Sequence, residues 1–136
     1  MVTNLLALDV GGARIGLAVA SSIARIPHPL ITIDASGDVV EQLRGIITDE
    51  GIGILVVGLP RNLSGEATAQ TATVQEFASQ LEVLGLPMHF QDEAVTSAQA
   101  EAELQARGKP YAKGDIDALA ATYILDDFLQ TFAETN

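Results

Sequence analysis

A near-continuous apolar run opens the chain, Leu5-Leu6-Ala7-Leu8 followed by Asp9 and Val10, as expected of a strand buried on both faces. Gly11-Gly12-Ala13-Arg14 breaks the run as a turn. Ile15 to Ala20 resumes it as a second strand, near enough in sequence to pair antiparallel with the first. A third strand is predicted over Leu30 to Ile33, just after Pro27 and Pro29. From about Asp38 to Glu50 the apolar positions Val39, Leu43, Ile46 and Ile47 recur at helical spacing. Ile52 to Gly58 reads as a fourth strand, and Leu59 to Gly65 as a loop. Val74, Phe77, Ala78 and Leu81 mark a second helix, and Pro87 to Gln91 a fifth strand. Thr96 with Gln99 has the form of a capping box opening a short helix that ends at Gly108, before Pro110. The last helix is predicted from near Asp115 to about Phe132.

The order is therefore β-β-β-α-β-α-β-α-α. A strand hairpin followed by β-α-β units predicts an α/β fold with a mixed sheet and helices on its faces. No repeat, low-complexity tract or linker interrupts it, so residues 1–136 are expected to form one domain.

Composition narrows the chemistry. Apolar residues make up 48% but aromatic residues only 4%, so the core must be built from Ala, Val, Leu and Ile. The absence of cysteine excludes a disulfide framework, a thiolate zinc site and a cysteine nucleophile. His28 and His89 are too few for a histidine-based metal site. The N-terminus lacks a basic n-region, and no apolar stretch approaches the ~18 residues of a spanning helix. A cytoplasmic protein with no membrane partner is expected. The formal charge of −11 argues at first against a nucleic-acid partner.

Carboxylates at three places nevertheless break apolar patterns. Asp9 lies near the C-terminal end of the first strand, on the face of Leu5 and Ala7; Asp92 and Glu93 end the fifth strand. Asp117 falls in the first turn of the predicted last helix, with Ala120, Ala121 and Ile124 at i+3, i+4 and i+7. Each has an ordinary reading: Asp9 as a cap of the glycine turn, Asp117 as a helix-start acid drawn by the macrodipole, Asp92-Glu93 as a solvated strand end. Burying carboxylates is costly, however, and three converging from separate elements would repel without a cation between them. Oxygen ligands on a rigid sheet suit Mg²⁺ or Mn²⁺. Asp9 and Asp92/Glu93 also fall at strand carboxyl ends, where open α/β sheets form sites. Asp115, Asp126 and Asp127 have solvated positions available.

Gly11-Gly12-Ala13-Arg14-Ile15-Gly16 is neither G-x-G-x-x-G nor a P-loop, since Leu17 stands where a P-loop has lysine. A tight turn suffices to explain Gly12, whereas at Gly11 close approach to a substrate phosphate is a second reading. Arg14, Arg61, Lys109 and Lys113 fall in loops on or near the acidic face, a local positive rim that would reconcile phosphate binding with an acidic protein. Arg25, Arg44 and Arg107 are placed less tellingly.

Together these residues resemble the YqgF family, also called RuvX or Holliday-junction-resolvase-like, within the ribonuclease H superfamily. Ala7-Leu8-Asp9-Val10-Gly11-Gly12-Ala13-Arg14-Ile15-Gly16-Leu17-Ala18 resembles the family's opening strand and turn. Val56-Val57-Gly58-Leu59-Pro60-Arg61-Asn62-Leu63-Ser64-Gly65 resembles its G-L-P-x-N-x-x-G loop. Asp92-Glu93 with Thr96 resembles its D-E-R-x-[ST]-[ST] segment, and Lys113-Gly114 with Asp117-Ala118-x-Ala120-Ala121 its C-terminal helix motif. The resemblance implies a ribonuclease-H-like five-stranded mixed sheet of order 3-2-1-4-5 flanked by helices. It implies catalytic and metal-binding roles for Asp9, Glu93 and Asp117, with Asp92 a fourth candidate ligand, and substrate contacts at Gly11, Arg14, Arg61, Asn62 and Lys113. It further implies a Mg²⁺- or Mn²⁺-dependent nuclease, monomeric or weakly dimeric, acting in 5′ maturation of pre-16S rRNA. A four-way DNA junction, or a regulatory nucleic-acid-binding role with weak activity, are the alternatives. Two positions depart from the family: Ala94 where arginine usually follows D-E, removing a plausible phosphate contact, and Gly12 where threonine is usual.

Overall fold

A computed structural model describes residues 3–60, 64, 66–93 and 96–132, with the side chains of 96 and 97 left aside. Its elements are β1 (Asn4–Val10), β2 (Arg14–Ser21), β3 (His28–Asp34), α1 (Val39–Glu50), β4 (Ile52–Pro60), α2 (Ala69–Ser79), β5 (Met88–Glu93), α3 (Thr96–Arg107) and α4 (Lys113–Thr131). A 3-10 helix, Gln80–Leu84, extends α2. The five strands form one sheet in the order β3-β2-β1-β4-β5. β1 and β3 pair antiparallel with β2, whereas β4 pairs parallel with both β1 and β5. The carboxyl ends of β1, β4 and β5 thus share one edge.

Strand alternation divides the interior into two layers. Leu6, Leu8, Leu55 and Val57 face α1 and α2, packing on Leu43, Val74, Ala78 and Leu81. Leu5, Ala7, Ala18, Ala20 and Val56 face α4, packing on Ala121, Ile124, Leu125, Phe128 and Leu129. Each leucine removed this completely from water contributes about 2–3 kcal/mol. α3 rests on α4 through Ala100, Leu104, Leu119 and Ala120, and the Tyr123 hydroxyl donates to Glu103 at 2.8 Å across the two helices.

α4 crosses the sheet from edge to edge. Thr32 of β3 donates to the Gly114 carbonyl at 2.6 Å, and the ring of His89 on β5 lies 5.3 Å from that of Phe128. Between them two strand glycines let the helix settle. A Cβ on Gly16 would lie 2.0 Å from the Asp117 carbonyl oxygen, and one on Gly58 2.4 Å from Ile124 Cδ1. The far end of α4 is held by Arg25, whose guanidinium donates to the Leu129 and Phe132 carbonyls, a cation on the orphan acceptors of a helix C-terminus.

The pattern misplaced several boundaries. β4 continues through Leu59 and Pro60, predicted as loop, because Leu59 is buried under the α1/α2 layer. β3 begins at His28 and includes Pro29, tolerated because β3 is an edge strand with a register shift at that point. β5 runs on to Glu93, so Asp92 and Glu93 pair with Leu59 and Pro60 inside the sheet. α4 starts at Lys113, where the Ala112 N–H donates to the Asp115 carboxylate at 2.9 Å. Asp117 is consequently in the second turn, and the helix-start role belongs to Asp115.

Candidate active site

Asp9 is the penultimate residue of β1 and follows Leu5 and Ala7 on the α4 side of the sheet. Glu93, the last residue of β5, takes the same side, two positions beyond Gln91 and four beyond His89, which packs on Phe128. Asp92 alternates to the other side, with Met88 of the α1/α2 layer. Between the two acids β4 presents Gly58, whose missing side chain leaves room beneath Ile124. Asp117 comes down from α4 onto the β1–β2 hairpin, its backbone over Gly16, the register partner of Asp9.

The electrostatics follow from this placement. Burial, and then the charge of Asp117, push the Asp9 carboxyl up to about 6. Glu93 is pushed up to about 8, first by desolvation, then by a hydrogen bond and charge from Asp127, then by the charges of Asp9 and Asp92. Its Oε1 is buried and has no hydrogen-bond partner among the described residues. Glu93 therefore feels Asp9 as a like charge, and a desolvated, unpartnered carboxyl oxygen lies in the same cluster. That donor set of oxygen ligands with excess negative charge suits a hard divalent cation.

Asp117 is differently engaged. Its Oδ2 accepts from Arg14 Nε at 2.6 Å, and the two side chains are 18% and 43% exposed. Among the described residues no three acidic or imidazole groups converge closely enough to hold a metal ion in this conformation. Asp117 Oδ2 is thus held by Arg14, while Asp9 and Glu93 carry raised carboxyls on the same side of the sheet.

The surrounding glycines and cations sort themselves by contact. Gly11 N–H donates to the Arg14 carbonyl at 2.9 Å, and a Cβ there would sit 2.8 Å from that oxygen. The hairpin turn alone therefore demands glycine at 11, while Gly12 has open space around it. Lys113 is exposed and stands one helical turn before Asp117, on the same flank of α4. Arg44 pairs with Glu41 at 3.2 Å and Arg107 with Glu103, both within one helix. With Arg25 on the α4 carbonyls, these three basic residues have structural employment. Arg61, Asn62 and Ala94 lie outside the described residues, as does the Thr96 side chain of the expected capping box.

A family model described as "RuvX: Holliday junction resolvase" matches residues 3–131, almost the whole of this arrangement. The chain belongs to the RuvX family. Among curated RuvX-like proteins, one from Chloroflexus aurantiacus named "Putative pre-16S rRNA nuclease" is 41% identical over 130 residues, covering 92% of this chain and 85% of its own. A protein of the same name from Synechocystis sp. is 38% identical over 129 residues, covering 91% and 85%. Among solved structures, Thermus thermophilus RuvC in complex with a Holliday junction substrate superposes with a TM-score of 0.52 over 93% of each chain, at 15% identity. At that identity the likeness shows the fold alone, ribonuclease-H-like, in keeping with the 3-2-1-4-5 sheet.

One acid of this RuvX-family site escaped the sequence reading. Asp127, predicted as solvated, is exposed yet hydrogen-bonds to Glu93. The signal was present in the spacing: Asp117, Ala120, Ile124 and Asp127 follow i, i+3, i+7 and i+10, which places them along one flank of a helix.

Proposed function

We propose that this chain is a metal-dependent nuclease that hydrolyses nucleic-acid phosphodiesters, with Asp9, Glu93 and Asp117 as the catalytic and metal-holding carboxylates. The observation that carries this reading is the placement of Asp9 and Glu93 on one face, both desolvated and with the Asp9 charge bearing on Glu93, at the carboxyl edge of three parallel strands. An idle protein gains nothing from holding two carboxylates in that state. Bound at these oxygens, Mg²⁺ or Mn²⁺ would supply Lewis-acid activation of water and charge stabilisation at the leaving oxygen, giving a 5′-phosphate and a 3′-hydroxyl.

The chain's own residues set the conditions for that chemistry. β1 holds Asp9 in register with Gly16 of β2, and Glu93 projects from the end of β5. At neutral pH without metal, Glu93 retains a proton within its hydrogen bond to Asp127. That proton must leave before Glu93 serves as a ligand. Arg14 and Lys113 flank Asp117 as cations available to substrate phosphates, with Arg61 and Asn62 proposed alongside them.

The substrate we propose is the 5′ region of pre-16S rRNA, the activity in the names of relatives at about 40% identity, with residues 1–136 acting as a single nuclease domain in the cytoplasm. No helix among the described residues is long and apolar enough to cross a membrane. The family description favours a second substrate, a four-way DNA junction. Cleavage of a pre-16S 5′ leader and of a four-way junction, side by side in Mg²⁺ and in EDTA, tests both. Mg²⁺-dependent cutting of the leader supports the proposal, cutting of the junction alone transfers it to DNA, and cutting of neither rejects nuclease action.

A further inference from the structure

Arg14 is the first residue of β2, and alternation puts it with Gly16 and Ala18 on the side of the sheet that faces α4. Its contact with Asp117 joins residues 103 apart in sequence. An arginine does not deprotonate at any ordinary pH, so in this conformation Asp117 is paired with a tethered cation. Asp117 Oδ2, spent on Arg14 Nε, is withheld from the Asp9–Glu93 side of the cluster. The electrostatic reach is nevertheless there, since the Asp117 charge raises the Asp9 carboxyl.

Two ligands compete for each partner. The Asp117 carboxylate can serve the guanidinium or a divalent cation, and the guanidinium can serve Asp117 or a phosphate. The Arg14 side chain, 43% exposed, is accessible to a phosphodiester without rearrangement of the sheet, and phosphate geometry suits its fork of donors at least as well as a carboxylate does. Resting on the metal-dependent reading of this site, we propose that Arg14 is a positioning residue that exchanges Asp117 for a substrate phosphate, so that nucleic acid and divalent metal load the site cooperatively. The free protein then holds metal weakly, because binding must displace Arg14 from Asp117. A phosphodiester that draws Arg14 away releases Asp117 to the metal. By linkage the same factor works in both directions: metal tightens nucleic-acid binding as much as nucleic acid tightens metal binding. Metal would then remain scarce in the site until a phosphodiester is present.

A static clasp, in which Arg14 only pins α4 to the β1–β2 hairpin, predicts the opposite response to mutation. Binding of Mn²⁺ to the full chain, followed by the electron paramagnetic resonance signal of free Mn²⁺, separates the two. Wild type, Arg14→Gln, Asp117→Asn, the double variant and Asp9→Asn, alone and with Arg14→Gln, are compared, with thermal melts in EDTA to confirm that each is folded. The exchange predicts that Arg14→Gln tightens Mn²⁺ binding by roughly three- to tenfold, the range for losing a partly exposed ion pair and a nearby positive charge. In the Asp117→Asn background the Arg14 change should have little effect. Ca²⁺ should tighten binding of a fluorescein-labelled RNA duplex to wild type, and Arg14→Gln should lose most of that gain. Mn²⁺ affinity that is unchanged or lowered in Arg14→Gln overturns the exchange while leaving the metal site intact. If neither wild type nor Arg14→Gln shows Mn²⁺ binding that Asp9→Asn removes, the metal reading falls and the exchange with it.

Discussion

Replacing Asp9 by asparagine keeps the shape of the side chain and removes its charge from the Asp9–Glu93–Asp117 cluster. In the metal-free protein the Asp9 carboxyl is pushed from 3.8 up to about 6 by burial and by Asp117. A folded-state pKa above the unfolded value means that the native state binds the proton more tightly, so stability falls as pH rises. The cost is absent well below the unfolded pKa, grows through the interval up to about 6, and is complete above it. A shift of that size corresponds to about 3 kcal/mol, and allowing for the buried asparagine amide leaves roughly 2 kcal/mol of net gain for the variant at neutral pH. Urea denaturation in EDTA reads this directly. Asp9→Asn should be the more stable protein at about pH 7.5, and its advantage should shrink by roughly 2 kcal/mol on going to about pH 4.5. Mg²⁺ should then stabilise wild type more than the variant, in proportion to the affinity lost. An asparagine variant that is less stable at both pH values, with equal shifts in Mg²⁺, would show Asp9 to be a cap of the glycine turn and would refute the reasoning.

Two further outcomes follow from the same geometry. Gly16→Ala should cost several kcal/mol, about 3 or more, because its Cβ would meet the Asp117 backbone, whereas Gly58→Ala meets only the tip of Ile124 and should be eased by Ile124→Val; equal melting temperatures for the two alanine variants would contradict this. With Glu93 raised to about 8 and Asp9 to about 6, Mg²⁺ binding near pH 7 should release about one proton, and affinity should climb with pH until about 8; calorimetry in buffers of different ionisation enthalpy checks it, and a pH-independent affinity would remove Glu93 from the ligand set.

Much of this arrangement is legible in the sequence because the strong signals are local. The run Leu5–Leu8 and the run Ile52–Val57 are apolar on both faces, and only a strand covered on two sides accommodates that. The i, i+3, i+4, i+7 series from Asp117 identified the buried flank of α4 even though the helix start was misplaced by two residues. What stayed hidden depends on tertiary contact. Leu59 and Pro60 resemble a loop until β5 pairs with them. Gly11 reads equally as a turn or a phosphate cradle until the Arg14 carbonyl is seen against it. Arg14 resembles a solvated rim charge until α4 brings Asp117 down beside it. Arg25 carried no signal at all, since its acceptors lie more than 100 residues away.

The central claim is that the acids on the α4 face form the hydrolytic, metal-holding site. Single-turnover cleavage of a pre-16S rRNA 5′ leader in Mg²⁺ by wild type, Asp9→Asn, Glu93→Gln, Asp117→Asn and Asp92→Asn tests it most directly. The account predicts losses of about 100-fold or more for the first three variants, no activity for any protein in EDTA, and near wild-type cleavage for Asp92→Asn, whose side chain takes the opposite side of the sheet. Undiminished cleavage by Asp9→Asn or Glu93→Gln, or cleavage by wild type in EDTA, would contradict it.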